Sequence, residues 1–402
     1  MVHYKFATDE QRQLADGARL ILEKELKPRI EEIEKTGGFP RDVVKSLADA
    51  GYSSISIPER WGGLGFDNRT QAIIYEEMAQ IDAGFSFSYA LAAKPSLVLE
   101  YTGISKEEKQ KWFDRTMAGE VIWATALTEP DAGSDTRAIR ATAVQDGNEW
   151  VLNGTKCFIT NGGVADVFVV SAYYDKSKGS AGIGQFVVEK ERGVKIGKIE
   201  DKMGLKLSVT AEVILEDVRV PLSHMVGSIF MMDPKAAKEL PKVEMGNKGV
   251  LAQLADARIT TMVHSLGIGQ AALDHAVEYA KVRRTFGSRI IDHQGLGFLI
   301  ADMQMKVDAA RALLYYSIDC LDAGLDTGTL SPSTKVFISD NMMQVALDAI
   351  QVMGGYGYMK EYPVEKLARD AKIFAIFEGT NEINKMVSVR TLAGRDPEKV
   401  KK

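Results

Sequence analysis

The chain has 402 residues, 45% of them hydrophobic and 26% charged, with a formal net charge of −5. That length suits two or three domains rather than one core, and an acidic balance with no long basic run argues against nucleic acid as the main partner. A phosphate-bearing ligand would have to be held by local arginines, lysines and backbone N–H groups.

Apolar residues recur at spacings of three and four over residues 1–122, which predicts an N-terminal helical domain. In "FPRDVVKSLADAGY", Pro40 suits a helix start, Val44, Leu47 and Ala48 form a stripe, and Gly51 ends the helix. "IPERWGGLGFD" follows as a glycine-rich loop. Over residues 123–227 the period becomes two, which predicts a central β domain. Asp146-Gly147 and Asn153-Gly154 are both read there as hairpin turns. Residues 228–245 form a connector with Pro and Lys and no clear period. From 246 to 402 the spacing is helical again. The two cysteines, Cys157 and Cys320, support neither a disulfide framework nor a zinc site and fit a reducing compartment. The opening stretch is charged and amphipathic, and no apolar run reaches membrane-spanning length. A cytoplasmic protein with no membrane partner is expected.

Five histidines are scattered without metal-ligand spacing, so no metal site is expected, and packing or surface roles are expected for each. Neither a G-x-G-x-x-G fingerprint nor a phosphate-binding P-loop motif occurs, which disfavours a nicotinamide enzyme of the doubly wound type. "TEPDAGSD" (128–135) and "KCFITNGG" (156–163) are each a turn with polar and aromatic residues at a strand end. "RRTFGSRIIDHQ" places Arg283, Arg284 and Arg289 around a glycine turn. Such a cluster serves a helix C-terminus or clamps a pyrophosphate, since arginine offers paired donors. In "QVMGGYGY", Gly354 and Gly355 permit close backbone approach to a ligand.

In this order and spacing, "TEPDAGSD", "FITNGG", "RRTFG", "QVMGGYGY" and "FEGTNEI" resemble the acyl-CoA dehydrogenase family, from about residue 5 to 395. The resemblance implies an N-terminal helical domain, a central β-barrel-like domain and a C-terminal four-helix bundle, assembled as a homotetramer. It implies FAD as cofactor, an acyl-CoA substrate and an electron-transfer flavoprotein as electron acceptor. By motif position, Ala126, Leu127 and Thr128 resemble residues lining the flavin, as do Phe158, Ile159 and Thr160; many relatives have Trp where Phe158 stands. Arg283, Phe286, Gln294, Gln351, Gly354 and Gly355 resemble the holders of the adenine and pyrophosphate end, continued by Thr380, Asn381 and Glu382. Ser134 and Arg258 resemble CoA-contacting residues, and Gly379 lets CoA pass close.

Glu378 falls on the family's catalytic carboxylate, the base that removes the α-proton of the thioester. Some relatives place that base where Ala257 stands here, and alanine cannot serve. Departures from the family pattern occur at Ala255, at Gly246-Asn247 and at Lys206. The position where glutaryl-type relatives carry an arginine is Ser86. Lys94, two turns on, is expected to face outward, so uncharged acyl groups are expected to be preferred. The competing readings are a flavin oxidase or monooxygenase on the same fold, which often lacks the Glu-Gly-Thr motif, and a non-catalytic assembly protein, which needs no base.

Overall fold

Side-chain caps begin most of the helices that precede the strands. The structure, a computed structural model, describes residues 7–394 apart from 234, 236, 237, 239 and 241–245, and describes no side chain from 246 to 253. Half of the connector expected at 228–245 therefore lies outside the described residues, as does the side chain of Asn247. Helix α1 (Asp9–Glu25) starts with a capping box between Thr8 and Gln11. After α2 (Ile30–Thr36), α3 (Arg41–Asp49) buries Val43, Val44, Leu47 and Ala48 and stops at Gly51, φ 89°. Asp67 caps α4 (Asn68–Ile81), Asp82 caps α5 (Ala83–Ala93), and Ser105 caps α6 (Lys106–Met117).

Seven strands follow: β1 (Trp123–Ala126), β2 (Thr142–Asp146), β3 (Glu149–Thr160), β4 (Val167–Tyr173), β5 (Ile183–Glu189), β6 (Lys195–Ile199) and β7 (Thr210–Pro221). They form one sheet in which β4 runs parallel to β1 and antiparallel to β5, and meets β2 where Thr142 faces Tyr173. β3 pairs antiparallel with β2 and β7, and β6 lies beyond β7. Alternation puts Ala126, Leu152, Phe168, Phe186 and Val213 into one core. The expected turn at Asp146-Gly147 closes the β2–β3 hairpin, with Gly147 at φ 60°. The expected turn at Asn153-Gly154 is instead a bulge inside β3, where the register with β7 shifts between Leu152 and Gly154. Gly154 has φ 151°, and a Cβ there would lie 2.6 Å from the Ala141 Cβ. The dipeptide signals a positive φ, and a bulge uses that as readily as a hairpin does.

Beyond the short helix α7 (Ile229–Met232) the chain is again helical: α8 (Gly246–Val282), α9 (Gln294–Asp322), α10 (Leu330–Met353), α11 (Val364–Ala371) and α12 (Asn381–Ala393). A two-residue hairpin, β8 (Arg284–Thr285) with β9 (Ser288–Arg289), joins α8 to α9. One core, including Met262, Leu266, Met303, Leu314, Met342 and Phe374, runs through these helices and takes in Ala72, Ala79 and Phe87 from α4 and α5. Buried charge ties the parts together. Glu76 on α4 accepts from Arg311 at 2.7 Å and from the Tyr315 hydroxyl at 2.8 Å, both on α9. Lys366 on α11 meets Asp82 at 2.7 Å, Asp370 at 2.6 Å and Glu34 at 3.7 Å. Asp370 in turn accepts from the Leu205 N–H at 2.6 Å, linking the stretch between β6 and β7 to α11.

Candidate functional site

The turn between Ala375 and α12 is left-handed at two successive residues, Glu378 (φ 55°) and Gly379 (φ 79°). For a non-glycine residue that conformation costs about 1–2 kcal/mol, so neighbours must hold it. The Arg258 Nε, on α8, donates to the Glu378 carbonyl at 3.1 Å. Asn384 donates to the carbonyls of Gly379 and Thr380 at 2.8 and 3.0 Å, and the Thr380 hydroxyl caps α12. Among the described residues the Glu378 N–H makes no hydrogen bond. Phe377 packs on Phe87 and Phe374, each at a ring separation of 5.1 Å.

Glu378 is half-buried, but its Oε2 is enclosed and has no hydrogen-bond partner. Burial pushes its carboxyl above the usual range, against the opposing pull of Arg258, Lys335 and Lys94. Lys335 on α10 is fully buried and donates to Asn381 Oδ1 at 2.7 Å; burial brings its pKa down to about 8. Asn381 also donates to Ser339 at 3.0 Å and to Asp340 at 2.6 Å. Its side chain is thus spent inside the protein, and only its backbone is left for a ligand.

Lys94 does not face outward as expected. It lines a cavity of about 40 Å³ together with Asn68, Gln71, Phe87, Thr261 and His264, and its charge reaches Glu378. Position depends on how the end of α5 packs against α4 and α8, which no local pattern encodes. Ser86 is fully buried, with its hydroxyl 3.0 Å from His264 Nδ1 while donating to the Tyr75 carbonyl at 3.0 Å. His264 is also buried, and its pKa falls to about 3 through burial and the nearby Lys94. It is neutral at any physiological pH. Sequence reasoning passed over His264 and Lys335; a polar residue within an apolar stripe was the one signal available for either.

The remaining candidates fall in two places. Ala126, Leu127 and Thr128 leave β1 beside β3, where the Cys157 N–H donates to the Thr128 carbonyl at 2.9 Å. Lys156, fully buried, donates to Leu127 O at 3.0 Å and to Glu129 at 2.7 Å; Glu129 also accepts from the N–H groups of Arg140 and Ala141. Next along β3, Phe158 (φ 57°) is 65% exposed, Ile159 is buried and Thr160 is half-buried. Ser134 is exposed in the loop after β1.

Elsewhere, Arg283, Gly354 and Gly355 line a cavity of about 570 Å³ with Tyr279, His293 and Tyr356. The Arg283 guanidinium lies over the Tyr356 ring at 5.6 Å. Arg289 is held by Asp292 at 2.8 and 2.9 Å, and Arg284 donates to the Gly287 carbonyl at 3.3 Å and does not line the cavity, which leaves Arg283 as the candidate clamp. Phe286 (φ 50°) is 98% exposed, and Gln294, Gln351 and Glu382 are exposed as well. Cys157 and Cys320 are both free thiols. Among the described residues Glu108, Glu189 and His224 bring ligand atoms within 4.8 Å of one another, but Glu189 is already engaged by His224 and Arg192.

Family models cover nearly the whole chain: acyl-CoA dehydrogenase, N-terminal domain, over residues 8–120; middle domain over 124–218; and C-terminal domain over 244–393. An acyl-CoA dehydrogenase of Bacillus subtilis (strain 168) is 38% identical over 392 residues, 96% of this chain and 99% of that one. An acryloyl-CoA reductase (NADH) of Anaerotignum propionicum is 40% identical over 393 residues, 96% of this chain and 95% of that one. A chain solved in work on the electron transferring flavoprotein of Acidaminococcus fermentans superposes with a TM-score of 0.88. It is 38% identical and covers 97% of this chain, which spans 99% of it. With the helix–strand–helix order and three family models matched in sequence, the chain belongs to the acyl-CoA dehydrogenase family.

Proposed function

We propose that the chain interconverts an acyl-CoA thioester and its 2-enoyl-CoA, with Glu378 as the base that removes the α-proton. The observation that carries this is the enclosed, unpartnered Oε2 of Glu378 on a strained backbone. An enclosed carboxylate oxygen with no internal donor is poised to accept a proton. The free N–H of Glu378 is placed to donate to the thioester oxygen as negative charge develops there. Arg258 fixes the carbonyl of the same residue, and Phe377 with Phe87 keeps water from the carboxylate. In the reverse direction Glu378 returns the proton, so the same residues serve enoyl-CoA reduction.

The proposed cofactor is FAD, which supplies hydride transfer at the β-carbon when bound. The residues fit it. The ends of β1 and β3 offer Ala126, Leu127, Thr128, Phe158, Ile159 and Thr160 to the ring, and Phe158 presents an uncovered aromatic face. Arg283 and the Gly354-Gly355 backbone offer cationic and close-approach contacts to a pyrophosphate; Gln294 and Gln351 neighbour the lining residues His293 and Val352 in sequence, and Thr380 and Glu382 are assigned to the same end by motif position. Ser134, Arg258 and Gly379 are assigned to CoA. A homotetramer is proposed from the uncovered Phe286 in the β8–β9 turn and the uncovered Phe298, Met305, Tyr316 and Leu392 on the C-terminal helices. An electron-transfer flavoprotein is the proposed acceptor, because the chain has no dinucleotide fingerprint. The two free thiols support a cytoplasmic setting.

Anaerobic mixing with acyl-CoA should bleach the flavin of the wild type. Glu378→Gln keeps the size of the side chain but not the base, and should slow bleaching by ~10²–10⁴-fold. Bleaching at the wild-type rate would remove Glu378 from the role. Fast peroxide-forming turnover in air would instead make the protein an oxidase.

A further inference from the structure

The cavity beside the base contains a cation that the chain does not pair. Among the described residues Lys94 makes no hydrogen bond and no ion pair, although it is half-buried and lines the cavity with Phe87, Tyr75 and Leu91, where burial pushes its pKa down. An ammonium in such surroundings is costly without a counter-charge. Asp322 and Asp256 are the nearby acids besides Glu378. Asp322 is committed to Asn68 and Arg69, whose N–H groups it accepts at 3.1 Å each, and Asp256 is exposed.

The opposite wall is equally specific. Ser86 has one proton and gives it to the Tyr75 carbonyl, so its oxygen accepts from His264, whose Nδ1 must carry the hydrogen. Burial holds the ring neutral, so its Nε2 carries no proton. It supplies no second positive charge, and among the described residues Lys94 is the sole cation lining the cavity. Gln71 spends its amide N–H on the Phe66 carbonyl at 2.7 Å. The volume is about 40 Å³, room for roughly three water-sized positions. That suits a carboxylate and a methylene, not a long alkyl tail.

We propose that Lys94 is the specificity-determining residue of the acyl pocket, and that the chain takes short acyl-CoA thioesters ending in a carboxylate. The proposal rests on the acyl-thioester reading above, and it replaces the expectation of uncharged acyl groups, which depended on Lys94 facing outward. The carboxylate neutralises Lys94 while the α-carbon lies at Glu378, so charge pairing at the far end positions the reacting end.

Glutaryl-CoA and pentanoyl-CoA have the same number of acyl carbons and differ in the terminal charge. Anaerobic flavin reduction by each, with wild type, Lys94→Met and Lys94→Arg holoenzymes, tests the proposal. The expected result is a wild-type preference for glutaryl-CoA in kcat/KM. The glutaryl-to-pentanoyl ratio should fall on the order of 10²-fold in Lys94→Met and be partly restored in Lys94→Arg. A wild type that prefers pentanoyl-CoA overturns the proposal even if neither variant folds, and so does a ratio unchanged by Lys94→Met. Both outcomes leave the acyl-CoA reading standing; only the absence of reduction by any acyl-CoA would remove that.

Discussion

Glu378 combines a left-handed backbone with a buried oxygen that has no partner, and both features oppose folding. Its carboxyl titrates above the ordinary value of 4.5 because of burial. A raised carboxyl pKa contributes stability below the unfolded pKa and loses it as the pH rises through the folded one. Glu378→Gln, which stays neutral, should therefore melt higher than wild type at pH 8, with the difference closing as the pH falls toward 4.5. Melting curves of the two holoenzymes across that range check the sign; a gap that widens in acid contradicts it. For Arg283, assigned to phosphate, Arg283→Ala should release FAD on dilution and gel filtration while the retained fraction bleaches near the wild-type rate. Normal FAD retention would show that the clamp lies elsewhere. At this scale the motif residues were legible, but the use of each side chain was not. Asn381 sits where the motif puts it, yet its amide serves Lys335, Ser339 and Asp340. Lys94 points inward for reasons of packing alone.

Among elements, the change of period at Trp123 was legible because a strand alternates every two residues while a helix repeats every 3.6. The contact between the loop after β1 and β3, beside the candidate flavin residues, was not, since the Cys157 N–H donates to the Thr128 carbonyl across about thirty residues of chain. Asn153-Gly154 shows the ambiguity of a local signal. Gly154→Val should press its side chain into Ala141 and cost about 1–3 kcal/mol. Gly147→Asn, in open space in the hairpin turn, should cost a few tenths of a kcal/mol. Equal thermal shifts in the two variants would mean that Gly154 is not at a bulge. The buried Lys156–Glu129 pair belongs to this scale too. It braces Leu127 against the strand that carries Phe158, so the two segments assigned to the flavin move as one.

For the whole molecule, light scattering should give a mass near four times the 44.1 kDa of one chain; a monomer would leave the uncovered aromatic residues of the C-terminal helices unexplained. The contact at Lys366 bears on how the molecule comes apart. Glu34 and Asp82 come from the helices before the sheet, and Asp370 brings in the Leu205 N–H from beside the sheet. Lys366 and Asp370 themselves stand on the last helices. Detaching the early helices strands Glu34 and Asp82 away from Lys366, and detaching the sheet takes the Leu205 N–H from the buried Asp370, so each loss undermines the others. The chain should accordingly absorb heat in one calorimetric peak on scanning, despite a length at which separate transitions are common. Lys366→Met should divide that peak, with the sheet and the outer helices melting at different temperatures.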